Sequence, residues 1–502
     1  MRSCSSTSFP VLALLAASLW PVPVLGQGID KQRVEGLLED AVKEWKVPGA
    51  AVVIVREDRL LFFQYGVREL GRPEKVTPDT VFGLSSCSKA FLTLAMAMLV
   101  DEGKIAWDDP VRKHLPGFRL ADPLADANVT LRDLLCHRTG LSSHEFLWYH
   151  SPLSPEEQVR RIGLVKPSRS FRSTFQYQNI MVCAAGLAVS AAAGIPWDEF
   201  VRKRILEPLE MTGVSATTAA ALEAPDHATP HRKNKAGKIE VIPWHPFAVP
   251  NAALSVNANA RDLGKWLQFQ LGDGTFRGRK LVSTENLAET HMPQTIIRLT
   301  GLAGAANPFT SQMSYGLGWV VHDYRGHALL AHGGRLDGMR THVVLVPSEK
   351  LGLAILSNLD DTQMNYALGN TLLDQLLGLE YLDWNDYFRK LVKTGEESSK
   401  KALEKRQQER RAGTKPSRKL EAYSGVYEDP AYGTARVLVN DGKLVWQWNK
   451  FECPLEHWHL DTFQLSNDTL GDPQLTFSLG GDGEVASLRV LEVEFRKKKA
   501  KN

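Results

Sequence analysis

The sequence predicts a mixed α/β (α+β) domain in which helices flank a sheet, followed by a small antiparallel β-barrel. Three observations lead there. Val-rich, strand-like segments near residues 51–66 and 329–356 bracket long apolar helical stretches, so strands from both ends of the first ~380 residues enclose helices. Residues 390–419 then turn abruptly to Lys, Arg, Glu and Gln. Beyond residue 420, short alternating runs are punctuated by Asn440-Asp441-Gly442 and Gly480-Gly481-Asp482-Gly483, the turn chemistry of antiparallel strands.

Taken in order, the chain begins with Arg2, an apolar run over residues 10–20 and Val24-Leu25-Gly26, which reads as a secretory signal peptide spanning 1–26. The mature protein is therefore expected to be secreted or periplasmic. That run is shorter than the roughly 20 apolar residues a membrane span needs, and no later segment reaches that length, so no stable membrane insertion is expected. Cys4 precedes the run, and no cysteine follows it to carry a lipid anchor.

Residues 30–385 are expected to form the main domain. Within it, 51–56 and 60–66 read as a hairpin around Glu57-Asp58. The apolar stretch 91–100 reads as a buried helix ended by Asp101-Glu102-Gly103. Helical patterns recur at 131–137, 180–193 and 260–271, and sheet patterns at 329–332, 342–347 and 351–356. Residues 386–419 hold too few apolar side chains for a core of their own and read as a charged helical linker. Residues 420–498 supply the barrel, with strands read at 437–439, 444–448, 463–465, 475–479 and 487–495. The basic tail 496–501 reads as a solvated end.

With 60 basic against 57 acidic side chains, the overall field gives no reason to expect nucleic acid or an anionic membrane as partner. Cys87, Cys136, Cys183 and Cys453 are spaced too irregularly for a disulfide framework or a zinc site and read as buried thiols. His137 and Cys136 have no clustered partner. No metal and no cofactor are expected.

The sharpest chemical signal is Ser85-Ser86-Cys87-Ser88-Lys89, with Ser86 and Lys89 on one face at the start of the buried helix. A serine hydroxyl is a weak nucleophile until a base takes its proton, and a desolvated lysine is neutral enough to help. Alone, this spacing is common by chance and equally fits a helix cap with a surface lysine. Tyr177-Gln178-Asn179 directly precedes another apolar helix. A tyrosine beside a cation can ionise below its usual range and move protons, and the Asn179 amide can hold a substrate carbonyl or amide. Alone, it fits an aromatic packing residue at a helix start. His332-Gly333-Gly334-Arg335 follows an apolar strand, where glycines let a substrate lie along the strand edge and the backbone N–H of Arg335 can join that of Ser86 as an oxyanion hole. Alone, it fits a tight turn. Cys87, one residue along the helix, should point into the core.

In this order and spacing, Ser-x-x-Lys, Tyr-x-Asn and His-x-Gly resemble the class C β-lactamase and penicillin-binding-protein superfamily, specifically its CubicO group. The resemblance extends through Val47-Pro48-Gly49-Ala50, residues 76–82, Asp108-Asp109-Pro110-Val111, residues 130–141 and Tyr315-Gly316-Leu317-Gly318-Trp319, covering roughly residues 30 to 380. It implies a serine β-lactamase-like fold and an acyl-enzyme on Ser86. It further implies Lys89 as proton partner, Tyr177 as general acid/base, and Asn179, His332, Gly334 and Arg335 around the substrate and its oxyanion. His332 stands where a lysine commonly sits, which replaces a permanent cation by a group largely neutral at pH 7 and disfavours β-lactam hydrolysis as the main activity. The Arg335 side chain either restores a carboxylate anchor or points to solvent. Residues from Tyr423-Ser424-Gly425-Val426-Tyr427 onward resemble a lipocalin-like domain appended to some CubicO-type enzymes.

The implied activity is hydrolysis of a small acyl substrate: peptide, amide, ester or β-lactam. The alternative is a catalytically inactive relative acting as a binding or matrix protein, and self-association into a homo-oligomer is left open.

Overall fold

The computed structural model describes residues 29–467 and 469–499, so the expected signal peptide lies outside the described residues. The main sheet contains β1 (Gly49–Arg56), β2 (Arg59–Gly66), β3 (Thr295–Ile297), β4 (Met313–Tyr315), β5 (Val320–Tyr324), β6 (His327–Leu336), β7 (Met339–Val346) and β8 (Leu351–Ser357). Its eight strands run in the order β2-β1-β8-β7-β6-β5-β4-β3. Every neighbouring pair is antiparallel. The hairpin expected at 51–66 is β1–β2, and its Ala50 pairs with Ser357 of β8, so segments far apart in sequence lie side by side, second and third from one edge of the sheet.

Alternation along β1 explains why the strand is apolar throughout. Ala51, Val53 and Val55 join one core, Val52 and Ile54 the other. The first core holds α2 (Lys89–Asp101), α3 (Asn179–Ala193) and α4 (Ala260–Gln270). The second lies beneath α1 (Lys31–Trp45), α5 (Met364–Leu376) and the start of α6 (Trp384–Gln408). Nearly every side chain of α2 is buried, as its unbroken apolar run requires. The charged segment forms α6, whose Trp384 and Phe388 are buried while its second half is exposed.

Eight further strands, β9 (Gly425–Asp429), β10 (Gly433–Asn440), β11 (Lys443–Trp448), β12 (Phe451–His459), β13 (Thr462–Leu465), β14 (Gln474–Leu479), β15 (Val485–Val490) and β16 (Val493–Lys497), close into an antiparallel barrel. Pairing of Tyr427 with Lys497 closes the ring. The run expected as one strand at 487–495 is in fact two, turning at Leu491 and Glu492 with φ of 51° and 63°. Both central residues are left-handed, as a tight hairpin demands, yet neither is the Gly or Asn that normally signals it.

The four described cysteines are free and buried, as expected. No single helix among the described residues is long and apolar enough to cross a membrane.

Candidate active site

Ser86 sits in a short 3₁₀ turn, Ser85–Ser88, that leads into α2. The turn is unusual: Ser85 has φ of 51°, and Ser86 keeps only 9% of its surface exposed. Lys89 is buried and places Nζ 3.1 Å from Ser86 Oγ. Its ammonium also donates to the Ala253 carbonyl at 3.0 Å. Burial pushes the Lys89 ammonium down to about 7, against smaller opposing pulls from Cys183, Glu145 and Cys87. A neutral amine is therefore accessible at ordinary pH, within reach of the serine proton.

Tyr177 donates its hydroxyl to Ser86 Oγ at 2.8 Å, and Lys89 Nζ lies 4.8 Å from its ring centre. The sequence reading allowed a phenol that ionises easily. Here burial raises it instead, so Tyr177 rests as a neutral donor. Its position follows from the segment over 130–141. Thr130 and Asp133 form a capping box, and the buried Asp133 carboxylate takes Arg138 and Arg172. His137 then turns left-handed, accepts the Gln178 N–H on Nδ1 at 3.1 Å and lays its ring 4.3 Å from that of Tyr177.

Asn179 opens α3 beside this pair. Its amide nitrogen points at both oxygens of Glu145, 3.4 Å away, while its Oδ1 is buried and has no hydrogen-bond partner. Glu145, which no motif marks, is held above the usual carboxylate range by burial. It joins the Ser86 neighbourhood to an open cavity of about 940 Å³ whose far wall is the barrel, including Tyr432, Leu491 and Glu492. Tyr432 bonds His144 Nδ1 at 2.7 Å, and Phe146 meets Trp448 edge-on.

On the strand side, Gly334 is required by close approach: a Cβ there would collide with the Leu84 carbonyl just before the nucleophile turn. Gly318 is similar, with a Cβ falling 3.2 Å from the Ala90 nitrogen at φ of 83°. His332 Nδ1 donates to the Gly333 carbonyl at 2.8 Å, which leaves Nε2 to accept from Tyr315 at 2.9 Å. Burial, reinforced by the Lys89 charge, pushes His332 down to about 3, so it is neutral. The Arg335 guanidinium pairs with Asp361 at the surface; of the two orientations the sequence left open, the outward one is observed. Cys87 lies away from the opening, donating its thiol to the His332 carbonyl at 3.4 Å, and burial raises it to about 12.

The structure thus gathers Ser86, Lys89, Tyr177, Asn179 and Gly334, with His332 behind them, and turns the Arg335 side chain outward. A family profile described as beta-lactamase matches residues 34–377, and a second, described as a domain of unknown function, matches 409–502. The unguisins hydrolase ungD of Aspergillus violaceofuscus is 27% identical over 436 residues, covering 81% of this chain and 76% of the relative. Protein flp of Staphylococcus aureus (strain COL) is 22% identical over 340 residues, covering 66% of this chain and 63% of flp. Among solved structures, the octameric penicillin-binding protein homologue from Pyrococcus abyssi superposes with a TM-score of 0.61 at 20% identity, covering 93% of this chain and all (100%) of that one. The D-amino acid amidase from Ochrobactrum anthropi SV3 superposes at 0.58 and 20% identity, covering 69% and 97%.

Proposed function

This chain belongs to the beta-lactamase family, and on that premise we propose that it is an exported serine hydrolase that cleaves amide or peptide bonds through an acyl-enzyme on Ser86. The observation that carries the reading is the convergence of Lys89 Nζ at 3.1 Å and the Tyr177 hydroxyl at 2.8 Å on one serine oxygen. In the proposed sequence, Ser86 Oγ attacks the acyl carbonyl as its proton passes to neutral Lys89. Negative charge develops on the carbonyl oxygen, for which the backbone N–H groups of Ser86 and Arg335 are the proposed donors. Tyr177 gives its phenolic proton to the leaving nitrogen, and the Lys89 ammonium replaces it. Water then retraces the steps on the ester, releasing the acid and restoring all three groups. The unpartnered Asn179 Oδ1 is suited to accept a substrate amide N–H.

An amide substrate with a D-residue is favoured over an ester or a β-lactam for two reasons. Structural neighbours carry the names D-amino acid amidase and D-stereospecific amidohydrolase. In addition, His332 is neutral and the Arg335 side chain faces outward, so neither position offers a cation to grip a β-lactam carboxylate. Intact mass spectrometry after exposure to D-amino acid amides, short peptides, p-nitrophenyl esters and β-lactams tests this. A transient adduct that disappears in Ser86→Ala is expected with amides and esters. No adduct with any of them would instead support the inactive, ligand-binding alternative.

A further inference from the structure

Away from Ser86, His150, His245 and Asp337 converge from three loops, and their ligand atoms all lie within 4.8 Å of one another. We propose that these three side chains form a binding site for a single divalent transition metal, zinc by preference, which fastens the loops that frame the catalytic centre. His245 Nδ1 lies 2.8 Å from an Asp337 carboxylate oxygen, and His150 Nε2 lies 3.9 Å from the same oxygen. In a tetrahedral zinc site, bonds of about 2.0–2.1 Å put ligand atoms about 3.3 Å apart. The observed spacings straddle that value, so small side-chain rotations bring all three into place. Two imidazoles and one carboxylate are a donor set suited to zinc, and three protein ligands leave a fourth position for water.

The surroundings fit a ligand set better than a simple surface cluster. The Tyr149 hydroxyl donates to the other Asp337 oxygen at 2.7 Å, fixing the carboxylate as outer-shell partners of metal ligands do. Its ring stacks on His245 at 5.2 Å, and Phe451 of the barrel meets the His150 ring edge-on at 6.0 Å. His245 is buried while His150 and Asp337 stay partly exposed, so a cation has an entry path. His245 and Asp337 also line a small cavity of about 20 Å³, enough for one water-sized sphere, which Ser85 borders with a buried hydroxyl that has no partner.

Each ligand sits on a segment that also serves the catalytic centre. His150 follows Glu145 on one loop, His245 precedes the Ala253 carbonyl that receives Lys89, and Asp337 forms the turn between β6 and β7 just past Gly334. A bound ion therefore acts as a common fastening for all three.

The test uses tag-free, full-length mature protein, equilibrated with zinc sulfate and gel-filtered, with metal content read by elemental analysis. One zinc per chain is expected, and cobalt substitution should give the visible absorption of a four-coordinate site. His150→Ala and Asp337→Asn should each weaken binding by about tenfold or more. Asp337→Asn retains an acceptor for Tyr149, and His150→Gln keeps the bulk against Phe451, so a folded variant is available at each position. Wild-type protein without zinc after gel filtration, or zinc held equally well by the folded variants, overturns the proposal.

Discussion

The side chain on which the proposed chemistry turns is Lys89. Because burial sets it at about 7 rather than its ordinary 10.5, acylation should accelerate as pH rises through 7 and fall about tenfold per unit below it, measured as kcat/KM on a D-amino acid amide. The same shift has a sign for stability. Between about pH 7 and 10.5 the unfolded chain holds a proton that the folded one lacks, so this group's penalty on folding grows as pH falls through that window and is complete below 7. Tyr177→Phe should leave the melting temperature near that of the parent while lowering turnover by about 10²-fold or more, since the ring still packs on His137 but has no proton to give. An unchanged rate would remove Tyr177 from the mechanism. Ser86, Lys89, Tyr177 and Asn179 could be picked out because two short motifs at helix starts, each ambiguous alone, stand with a third in the order of a known family. Glu145 could not, being a lone acid at the start of a single short 3₁₀ turn, and the left-handed turn at Ser85 left no trace in residue type either.

Between single side chains and the whole chain, backbone proximity decides what each element tolerates. Gly333 and Gly334 are adjacent on β6 yet face opposite ways: a Cβ on Gly333 would meet the Tyr366 hydroxyl, the free end of a side chain, whereas on Gly334 it would meet the Leu84 backbone. Gly334→Ala should therefore push the strand from the Ser86 turn and slow acylation at least about tenfold, while Gly333→Ala should change it far less; the comparison needs burst kinetics and thermal melts of both. The barrel offers the reverse case. Glu492 is exposed and left-handed at the β15–β16 turn, so Glu492→Gly should stabilise the barrel by up to about 1 kcal/mol, read from denaturant unfolding. That turn also shows what the sequence hides. Alternation carried the strand reading straight across Leu491 and Glu492, because the hairpin is imposed by ring closure and not announced by a turn residue.

On the scale of the molecule, sheet, helices and barrel were all anticipated from periodicity and from the composition change after residue 390. What periodicity does not encode is which loops face the barrel. Tyr432 reaches His144, the Arg161 guanidinium donates to the Ala431 carbonyl at 3.3 Å, and both lie beside the cavity that ends at Glu145. Truncation after Arg411 should leave the N-terminal domain folded, since all eight strands of its sheet and the helices packed on them precede that residue, and the core on the α2 face, which runs on into the barrel, loses only its barrel share. Small activated esters should then be cleaved at near-parental rates, while kcat/KM on longer peptides shifts because one wall of the cavity is gone. Failure of the truncated chain to fold, or identical specificity, would refute this. Antiparallel pairing of Ala50 with Ser357 has a further consequence, felt during synthesis rather than in the finished enzyme. At about 5–20 residues per second, some 15 to 60 s separate emergence of β1 from that of its partner β8. Throughout that interval a strand built to be covered on both faces waits on the nascent chain with only β2 beside it. Recovery of this protein from an expression host should therefore respond to translation speed and chaperone supply more than to the stability of the finished fold.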